Sequence, residues 1–321
     1  MELRAIEAFL KVADLGSFSE AARRLGYSQP AVTMQVKQLE EELGVRLFDR
    51  TPRRALLTEQ GIAFSVHAHE IHDAVQKARV AAHRSSAPDA DLTGTLRIGS
   101  VESIATALLP EMLVRFTQRH PHVEVVVQTM RGDLLADLAR SGGIDLFFTL
   151  EKKLAMPGFT RLLLHEEEIV FVGPPGITAA RSAQRGMEAP EAEGCVDLSA
   201  PLSPEELGRM PFVLTERGES YRQELDRAMA EHDCAITPVV EAGNTETLVH
   251  LAERGIGCAF LPRFSIEGAL QTGSLAHIDT TLPAIRIWSQ LFHHEKKWVT
   301  PAMHAFIDVA RAYFQERETA R

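Results

Sequence analysis

From Thr95 to the C-terminus, segments with the pattern of β-strands alternate with segments that have the periodicity of helices. The first strands are TLRIGS, HVEVVVQ and IDLFFTL, with SIATALLPEMLVRFTQRH and GDLLADLARSG as helices between them. The order continues through EEIVFVG, FVLT, SYRQELDRAMAEH, ITPVVEA, TETLVHLAERG and CAFLP, and WVTPAMHAFIDVARAYF closes the chain as a helix. Helical crossovers bring successive strands into the same direction, so this order predicts a parallel α/β sheet. The stretch 174–204, rich in Ala, Glu, Pro and Ser, is predicted to be a surface loop.

The first 58 residues have a different pattern, that of three short helices followed by a hairpin. The helices are predicted from an apolar spacing of three and four, from capping serines and from glycines at helix ends. The residues concerned are Leu3, Ile6, Leu10 and Ala13 in the first helix, Ser17 or Ser19 and Gly26 around the second, and Ser28 and Gly44 around the third.

The third predicted helix has one apolar face and one polar face. The apolar stripe consists of Val32, Val36, Leu39 and Leu43, which must face a core. The opposite face of the N-terminal half carries an amide, a hydroxyl and a cation, and the C-terminal half carries three glutamates. Two helices joined by a turn containing glycine are typical of the helix-turn-helix, whose second helix contacts base edges with its N-terminal residues.

Arginines follow this helix although the chain as a whole is acidic, with a net charge of −10. Residues 1–91 hold 12 Lys and Arg against 13 Asp and Glu, and the remainder holds 22 against 31. The acidity therefore belongs to the C-terminal part and does not exclude a local basic patch. The segment VRLFDRTPRRALLT has strand-like ends around a Pro-Arg-Arg turn, which predicts a wing whose cations reach phosphates or the minor groove. Thr58 then caps a long helix to about His83, and the small, polar stretch SSAPDADLTG is predicted to be a linker.

These motifs resemble those of the LysR-type transcriptional regulator family. The matching stretches are AFLKVADLGSFSEAARRLGYSQPAVTMQVKQLEEELGVRLFDR, ALLTEQG, LLPEMLVRF, HPHVEV, GDLLADL, GGIDLFFT and GIGCAFLP. The resemblance covers nearly the whole chain. The N-terminal block is highly specific, whereas the later blocks are individually weak but occur in the family's order.

The resemblance implies an architecture and a set of partners. Residues 1–58 would form a winged helix-turn-helix, all-α with a small β wing. Residues 59–84 would form a linker helix that pairs two subunits, and 85–92 a hinge. Residues 93–165 with 271–321 would form lobe I, and 166–270 lobe II, of an α/β two-lobed periplasmic-binding-protein-like effector domain. The implied partners are double-stranded promoter or operator DNA, a small-molecule effector, RNA polymerase and further copies of the chain in a homodimer or homotetramer, with no cofactor.

The family's DNA-contacting positions can be transferred one by one. The candidates for base contacts are Gln29, Pro30, Thr33 and Met34, and those for phosphate or minor-groove contacts are Lys37, Arg50, Arg53 and Arg54. Met34 departs from the family's pattern, in which arginine or another polar residue is common. A thioether cannot form the bidentate contact of arginine with guanine, so Met34 lies on thymine methyl groups or only fills space.

The effector is expected at the carboxyl ends of the strands, in the cleft between two α/β lobes. Hydroxyl groups at Ser100 and Ser103 suit an anion such as a carboxylate, although Ser103 could instead only cap its helix. Glu102 would repel an anion and would suit an amine or a zwitterion, or it points to solvent and complements the helix dipole. The expected effector is therefore a metabolite acid or a zwitterion. Other candidates at strand ends are Thr149, Thr215, Asn244 and Thr245.

Two alternatives to this function remain open. One is a cysteine-based redox sensor of the same family, although Cys195, Cys234 and Cys258 form no tight pair by spacing and Cys258 suits a small buried hydrophobe. The other is a solute-binding protein or an enzyme on the α/β half. The sequence has no Gly-rich phosphate loop, no G-x-S-x-G and no HExxH, so no catalytic residue is predicted.

Metal binding, membrane insertion and export are not expected either. His67, His69 and His72 lack the spacing of metal ligands. No apolar run approaches the ~18 residues of a membrane span. The N-terminal segment carries acids and no continuous apolar stretch, so no signal peptide is expected and the protein is predicted to be cytoplasmic.

Overall fold

In the computed structural model, the N-terminal region contains three helices and a two-stranded antiparallel hairpin. The structure describes residues 1–50, 55–82, 92–153, 155–175 and 200–319. The elements are α1 (Leu3–Leu15), α2 (Phe18–Leu25), α3 (Gln29–Leu43), β1 (Phe48–Arg50) and β2 (Ala55–Leu57). Gly16, Gly26 and Gly44 follow the three helices with φ of 60°, 70° and 71°, the left-handed conformation that glycine adopts without strain. The predicted helix-turn-helix and wing strands are confirmed.

The three helices enclose a small core that the fourth helix completes. Val32, Val36 and Leu39 of α3 are buried in it. Leu43, predicted to continue their stripe, is 37% exposed, because it is the last helical residue before Gly44 turns the chain away. The prediction for Leu43 was wrong.

The helix α4 (Glu59–Ala82) begins at the position that the sequence predicts. Thr58 Oγ1 accepts a hydrogen bond from the backbone N–H of Gly61 at 2.9 Å, as an N-cap residue should. Gly61 lies directly against the hairpin, since a Cβ atom at this position would lie 2.1 Å from the carbonyl oxygen of Leu47. The rings of Phe9 and Phe64 meet with centroids 5.1 Å apart. The helix is therefore packed tightly onto the winged domain at its start.

The rest of the described chain forms an α/β domain around one nine-stranded sheet, in the order β4-β3-β5-β11-β6-β9-β7-β8 with β10 paired to β6. Its strands are β3 (Gly94–Ser100), β4 (Val123–Thr129), β5 (Leu146–Glu151), β6 (Phe159–Gly173), β7 (Phe212–Leu214), β8 (Pro238–Glu241), β9 (Cys258–Pro262), β10 (Ala276–His277) and β11 (Ile285–His294). Its helices are α5 (Glu102–Ala107), α6 (Leu109–Arg119), α7 (Gly132–Arg140), α8 (Pro204–Arg209), α9 (Ser220–Ala230), α10 (Thr245–Glu253), α11 (Arg263–Thr272) and α12 (Pro301–Thr319). Among the described residues, no helix is long and apolar enough to span a membrane.

The sheet is mixed, not fully parallel as predicted. β3 pairs in parallel with β4 and β5, and β7 pairs in parallel with β8 and β9. β6 and β11 are antiparallel to each other, and β11 is also antiparallel to β5. The first half of β6 and all of β11 were not predicted as strands, and the helix expected from Ser103 to His120 is divided at Leu108 into α5 and α6. The 174–204 loop lies largely outside the described residues.

The two antiparallel strands join two lobes. Lobe I contains β3, β4 and β5 with α5, α6, α7 and α12, and lobe II contains β7, β8 and β9 with α8 to α11. β6 pairs with β11 from Phe159 to Ile169 and with β9 from Ile169 to Val172. It therefore belongs to the sheet of both lobes, and its course places the carboxyl ends of the parallel strands of each lobe around a shared cleft.

Ion pairs connect the winged domain to the outer part of lobe I. The guanidinium of Arg97 on β3 binds the carboxylate of Asp14 at the end of α1. Arg24 Nη1 of α2 lies 2.9 Å from Glu124 Oε1 on β4. Asp145 accepts from the backbone N–H of Arg97 at 2.7 Å and contacts Lys297 Nζ at 2.7 Å. A strand of lobe I is thus held to the first helix of the winged domain.

His69 of α4 is buried at the same junction. Its Nδ1 donates to the Ser65 carbonyl oxygen at 2.8 Å, and its Nε2 is buried without a hydrogen-bond partner among the described residues. Gly142, with φ of 79°, lies over the ring, and a Cβ there would be 2.9 Å from the His69 Cβ. Burial, with Arg97 and Lys297 nearby, lowers the pKa of His69 from 6.5 to about 4. The imidazole is therefore neutral at pH 7, and this packing requires its neutral form.

Candidate DNA interface and ligand cavity

The N-terminal half of α3 presents a polar edge to solvent. Gln29, Pro30 and Met34 are exposed, Met34 to 61%, and Thr33 is partly exposed. Gln29 Nε2 donates to Thr33 Oγ1 at 3.0 Å, so the amide and the hydroxyl act as a pair. Pro30 occupies the first turn, where a missing N–H costs little. All four base-contact candidates of the sequence are therefore at least partly accessible to solvent.

Further along α3, the charged side chains form contacts within the winged domain. Lys37 is exposed and lies 3.3 Å from Glu41, one turn further along. Glu40 Oε1 accepts from the backbone N–H groups of Leu47 and Phe48 at 2.8 and 3.2 Å, which fixes the entry to β1. Sequence reasoning missed this role of Glu40. In the wing, the backbone of Arg50 pairs with Ala55, whereas Arg53 and Arg54 lie outside the described residues.

A cavity of about 240 Å³ lies between the two lobes. This volume is below the ~300–1,000 Å³ typical for drug-sized ligands, so it suits a small metabolite. The walls come from strand ends and helix starts of both lobes, as expected for an open α/β sheet. The lining residues are Val101, Glu102, Ser103, Thr129, Met130, Arg131, Leu150, Thr215, Glu216, Glu219, Ser220, Tyr221, Gly243 and Thr245.

Four of the seven effector candidates line this cavity, namely Glu102, Ser103, Thr215 and Thr245. Ser103 is buried and does not cap its helix, since α5 has Val101 at the N-cap position. The other three, Ser100, Thr149 and Asn244, are not part of the lining. Ser100 is fully buried, and its hydroxyl donates to the carbonyl oxygen of the next residue, Val101, at 3.0 Å.

Glu102 of lobe I spans the cleft to the start of α10 in lobe II. Its Oε2 accepts from the backbone N–H and the hydroxyl of Thr245 at 2.9 and 2.5 Å, and its Oε1 accepts from Asn244 Nδ2 at 3.0 Å. A carboxylate here also complements the positive end of the α10 dipole. Glu102 does complement a helix dipole, as one hypothesis held, but the helix is in the opposite lobe and the side chain is not directed to solvent.

Other lining residues were not foreseen from the sequence. Arg131 follows β4 and precedes α7, a strand end that the same rule could have identified. Ser220 at the start of α9 donates to the carbonyl oxygen of Leu150, a second contact between the lobes. Tyr221 is buried, and burial raises the pKa of its hydroxyl above the ordinary value. The phenol therefore stays protonated and can only serve as a neutral hydrogen-bonding group.

Arg222 does not line the cavity but stabilises its wall. Its guanidinium is almost fully buried, and Nη1 donates to the Thr215 carbonyl oxygen at 3.0 Å. Nε donates to Asp226 Oδ1 at 2.9 Å, and Nη1 also reaches Glu241 Oε1 at 3.4 Å. This network fixes the loop that carries Thr215 between β7 and α9.

The described cysteines and histidines show no reactive or metal-binding arrangement. Cys258 is fully buried, and burial raises the pKa of its thiol to about 12. Cys234 is partly buried, and Cys195 lies outside the described residues. Among the described residues, no group of three or more His, Cys, Asp or Glu is placed to hold a metal ion.

Comparisons with known proteins agree with this arrangement. Residues 3–62 match the family model of the bacterial regulatory helix-turn-helix protein, lysR family, and residues 89–315 match the LysR substrate binding domain. The HTH-type transcriptional regulator YwqM of Bacillus subtilis is 28% identical over 317 residues, which cover 98% of this chain and 100% of YwqM.

Solved structures share the fold. A point variant of full-length OxyR of Pseudomonas aeruginosa has a TM-score of 0.71 at 21% identity, covering 98% of this chain and 95% of OxyR. CbnR in complex with its target DNA has a TM-score of 0.58 at 21% identity, covering 98% of this chain and 100% of CbnR. Because the two family models together account for both the winged domain and the two-lobed domain, the chain belongs to the LysR family of transcriptional regulators, with an N-terminal DNA-binding domain and a C-terminal effector-binding domain.

Proposed function

We propose that this regulator contacts operator DNA with the exposed edge of α3 and responds to a small molecule bound between its lobes. The proposal is supported by two features found in the same chain, the exposed edge of α3 from Gln29 to Met34 and the cavity between the lobes. The proposed units are those of the sequence: 1–58 for DNA binding, 59–84 for pairing of subunits and 85–92 as a hinge. Lobe I would be 93–165 with 271–321, and lobe II 166–270.

We propose two kinds of contact between the winged domain and DNA. Gln29, Pro30, Thr33 and Met34 face base edges in the major groove, and Lys37 with the wing arginines Arg50, Arg53 and Arg54 faces phosphates or the minor groove. Hydrogen bonds and apolar contacts to base edges distinguish sequences directly, whereas phosphate contacts add affinity for all sequences.

The test compares operator selection and salt dependence. Thr33→Ala should change base preference in a selection from randomised DNA. Lys37→Ala should weaken binding to all sequences and reduce the slope of affinity against salt by about one unit. Gln38→Ala, exposed on the C-terminal half of α3, is the control. Equal losses on every sequence for Thr33→Ala would contradict the assignment of Thr33.

The proposed effector site is the cavity lined by Glu102, Ser103, Thr215 and Thr245. Ligand binding would change how the lobes are held together, because Glu102 and Ser220 already form hydrogen bonds across the cleft. Ser103→Ala should weaken the effector response and leave operator affinity near that of the unchanged protein. A parallel fall in both quantities would show that Ser103 has only a structural role.

The proposal includes partners and location. We infer a homodimer or homotetramer paired through α4, contact with RNA polymerase at the promoter, and action in the cytoplasm, where bacterial DNA lies. Ile62 of α4 is 54% exposed, as expected for a helix that another chain covers. Light scattering of the unchanged protein and of Ile62→Asp measures the oligomeric state, and an unchanged mass for Ile62→Asp would argue against pairing at this position.

We propose that the chain carries out no catalysis and needs no cofactor, in keeping with a family of regulators. The redox alternative finds little support in the described cysteines, because a buried thiol with a raised pKa is a poor nucleophile. A solute-binding function for the α/β half alone would leave the winged domain without a role. No observation on the described residues favours a redox sensor or a solute-binding protein over a regulator that responds to a small molecule.

A further inference from the structure

The charged side chains of the interlobe cavity are mainly acidic. Four charged residues contribute to the described lining, and three of them, Glu102, Glu216 and Glu219, are carboxylates. Arg131 is the single cation among these four described residues, and its Nη2 already lies 3.2 Å from Asp133 Oδ2. An anionic ligand would therefore meet more repulsion than attraction from the walls.

The site that would ordinarily attract an anion is already occupied. The N-terminus of α10 offers the backbone N–H of Thr245 and the side chain of Asn244, and both donate to Glu102. Thr106 Oγ1 also donates to Glu102 Oε1 at 3.1 Å. A ligand carboxylate could reach these donors only by displacing a well-bonded protein carboxylate, so an anion gains little from this helix end.

Two of the carboxylates remain available to a ligand. Among the described residues, neither Glu216 nor Glu219 has a side-chain hydrogen bond or an ion pair within 4.0 Å. Glu216 is exposed at the rim beside Gly243, and Glu219 is partly buried at the start of α9. Burial raises the pKa of Glu219, Arg131 opposes this rise, and Glu216, Asp133 and Glu102 add to it. A cation between these groups would relieve both the desolvation and the mutual repulsion.

The neutral part of the lining suits a small polar ligand. Ser103, Thr215 and Thr245 provide hydroxyl groups, and Met130 and Leu150 provide apolar surface. Arg131 can accept one carboxylate at the side of the cavity formed by lobe I. The two lobes form the cavity, and the carboxylates determine only which class of ligand it favours.

We propose that the effector of this regulator is a small molecule with a protonated amine, of amino-acid size, whose ammonium group binds between Glu219 and Glu216. A carboxylate on the same molecule would lie near Arg131, so a zwitterion fits and an anion without an amine does not. The inference rests on the proposed function, in which this cavity is the effector site.

The test uses pairs of probes that differ in the amine alone. Each of the common L-amino acids is compared with the 2-hydroxy acid of the same carbon skeleton, in a thermal-shift screen with the full-length protein and titration calorimetry of every hit. An amine should bind about tenfold or more tightly than its hydroxy-acid partner, because a charge-assisted hydrogen bond is lost in the latter.

Variants connect the binding to the named carboxylates. Glu219→Gln should weaken binding of the amine probe about tenfold. Glu231→Gln, an exposed change of equal charge on the end of α9 away from the cavity, should leave it unchanged. Tighter binding of a hydroxy acid than of its amine partner, equal binding to Glu219→Gln, or no stabilisation by any amine probe up to about 10 mM would overturn the proposal.

A second readout separates this inference from the proposed function. Operator binding by fluorescence anisotropy is followed with and without each probe. If hydroxy acids or dicarboxylates alter operator binding and amines do not, the regulator function stands and the ligand class proposed here fails. If the protein binds no DNA with sequence preference, the proposed function itself fails, whatever the probes do in calorimetry.

Discussion

His69 should make the stability of the protein depend on pH between its folded and its unfolded pKa. The unfolded chain binds a proton on this imidazole near pH 6.5, whereas the folded chain binds it only near pH 4. A base with a depressed folded pKa contributes stability above pH 6.5, and this contribution is lost as the pH falls toward 4. From these two values, acidification from pH 7 to pH 5 lowers the free energy of unfolding by about 2 kcal/mol.

The measurement compares three proteins by denaturant unfolding at both pH values. His69→Asn keeps a donor in reach of the Ser65 carbonyl but has no titrating ring. Between pH 7 and pH 5, its free energy of unfolding should therefore fall by about 2 kcal/mol less than that of the unchanged protein. Its stability at pH 7 should be lower, because the ring packs under Gly142. His67→Gln, on the exposed side of α4 with its side chain 72% accessible, is the control and should follow the unchanged protein.

An equal loss of stability on acidification for His69→Asn and for the unchanged protein would show that protonation of His69 does not destabilise the fold. Carboxylates elsewhere also lose interactions at low pH, but they do so equally in all three proteins, so only the difference between them counts. Burial is the main reason that the ring stays neutral; the nearby cations Arg97 and Lys297 also lower the pKa of His69, whereas Asp14 raises it.

Three further substitutions test the architecture. Gly61→Ala should destabilise the protein by about 1–3 kcal/mol or more and reduce DNA binding, since a Cβ would lie 2.1 Å from the Leu47 carbonyl oxygen; unfolding curves and operator titration would show it. Arg222→Met should cost about 1–3 kcal/mol and weaken ligand binding, because the Thr215 carbonyl loses its donor, and calorimetry with the best amine probe would detect this. Ser28→Ala should cost about 0.5–1 kcal/mol, since the cap bond to Ala31 is long at 3.4 Å; an unchanged midpoint would show that the cap does not contribute.

The parts predictable from sequence are those determined by neighbours in the chain. Capping by Ser28 and Thr58 and termination at Gly26 and Gly44 depend on residues three or four positions away, and all appear as predicted. Of the two candidates for the cap of α2, Ser17 and Ser19, Ser17 is the N-cap residue. Helical periodicity alone predicts the buried stripe of α3, and this prediction was wrong only for its last residue, Leu43.

The antiparallel ribbon could not be predicted in the same way. β11 pairs with β6 across more than a hundred residues, for example Trp288 with Glu166, and no local signal specifies such a partner. The same holds for the cavity. Glu102 was identified as a charge at a strand end, but its partner Thr245 lies 143 residues further along and belongs to the other lobe. Arg131 and Glu219 follow strands and could have been included by the rule applied to Ser100.

Strand β3 contacts two different parts of the molecule, one from its middle residue and one from just beyond its carboxyl end. Arg97 binds Asp14 of the winged domain, and Val101 and Glu102, which follow the last strand residue, line the cavity. At about 3.3 Å per residue, the Cα atoms of Arg97 and Val101 are only about 13 Å apart. β3 pairs with β4 along its whole length and with β5 from Ile98 to Ser100. If a ligand binds in this cavity as proposed, the ligand and the winged domain would act on the same strand four residues apart, and a displacement of β3 along its axis would connect them without a rearrangement of the sheet.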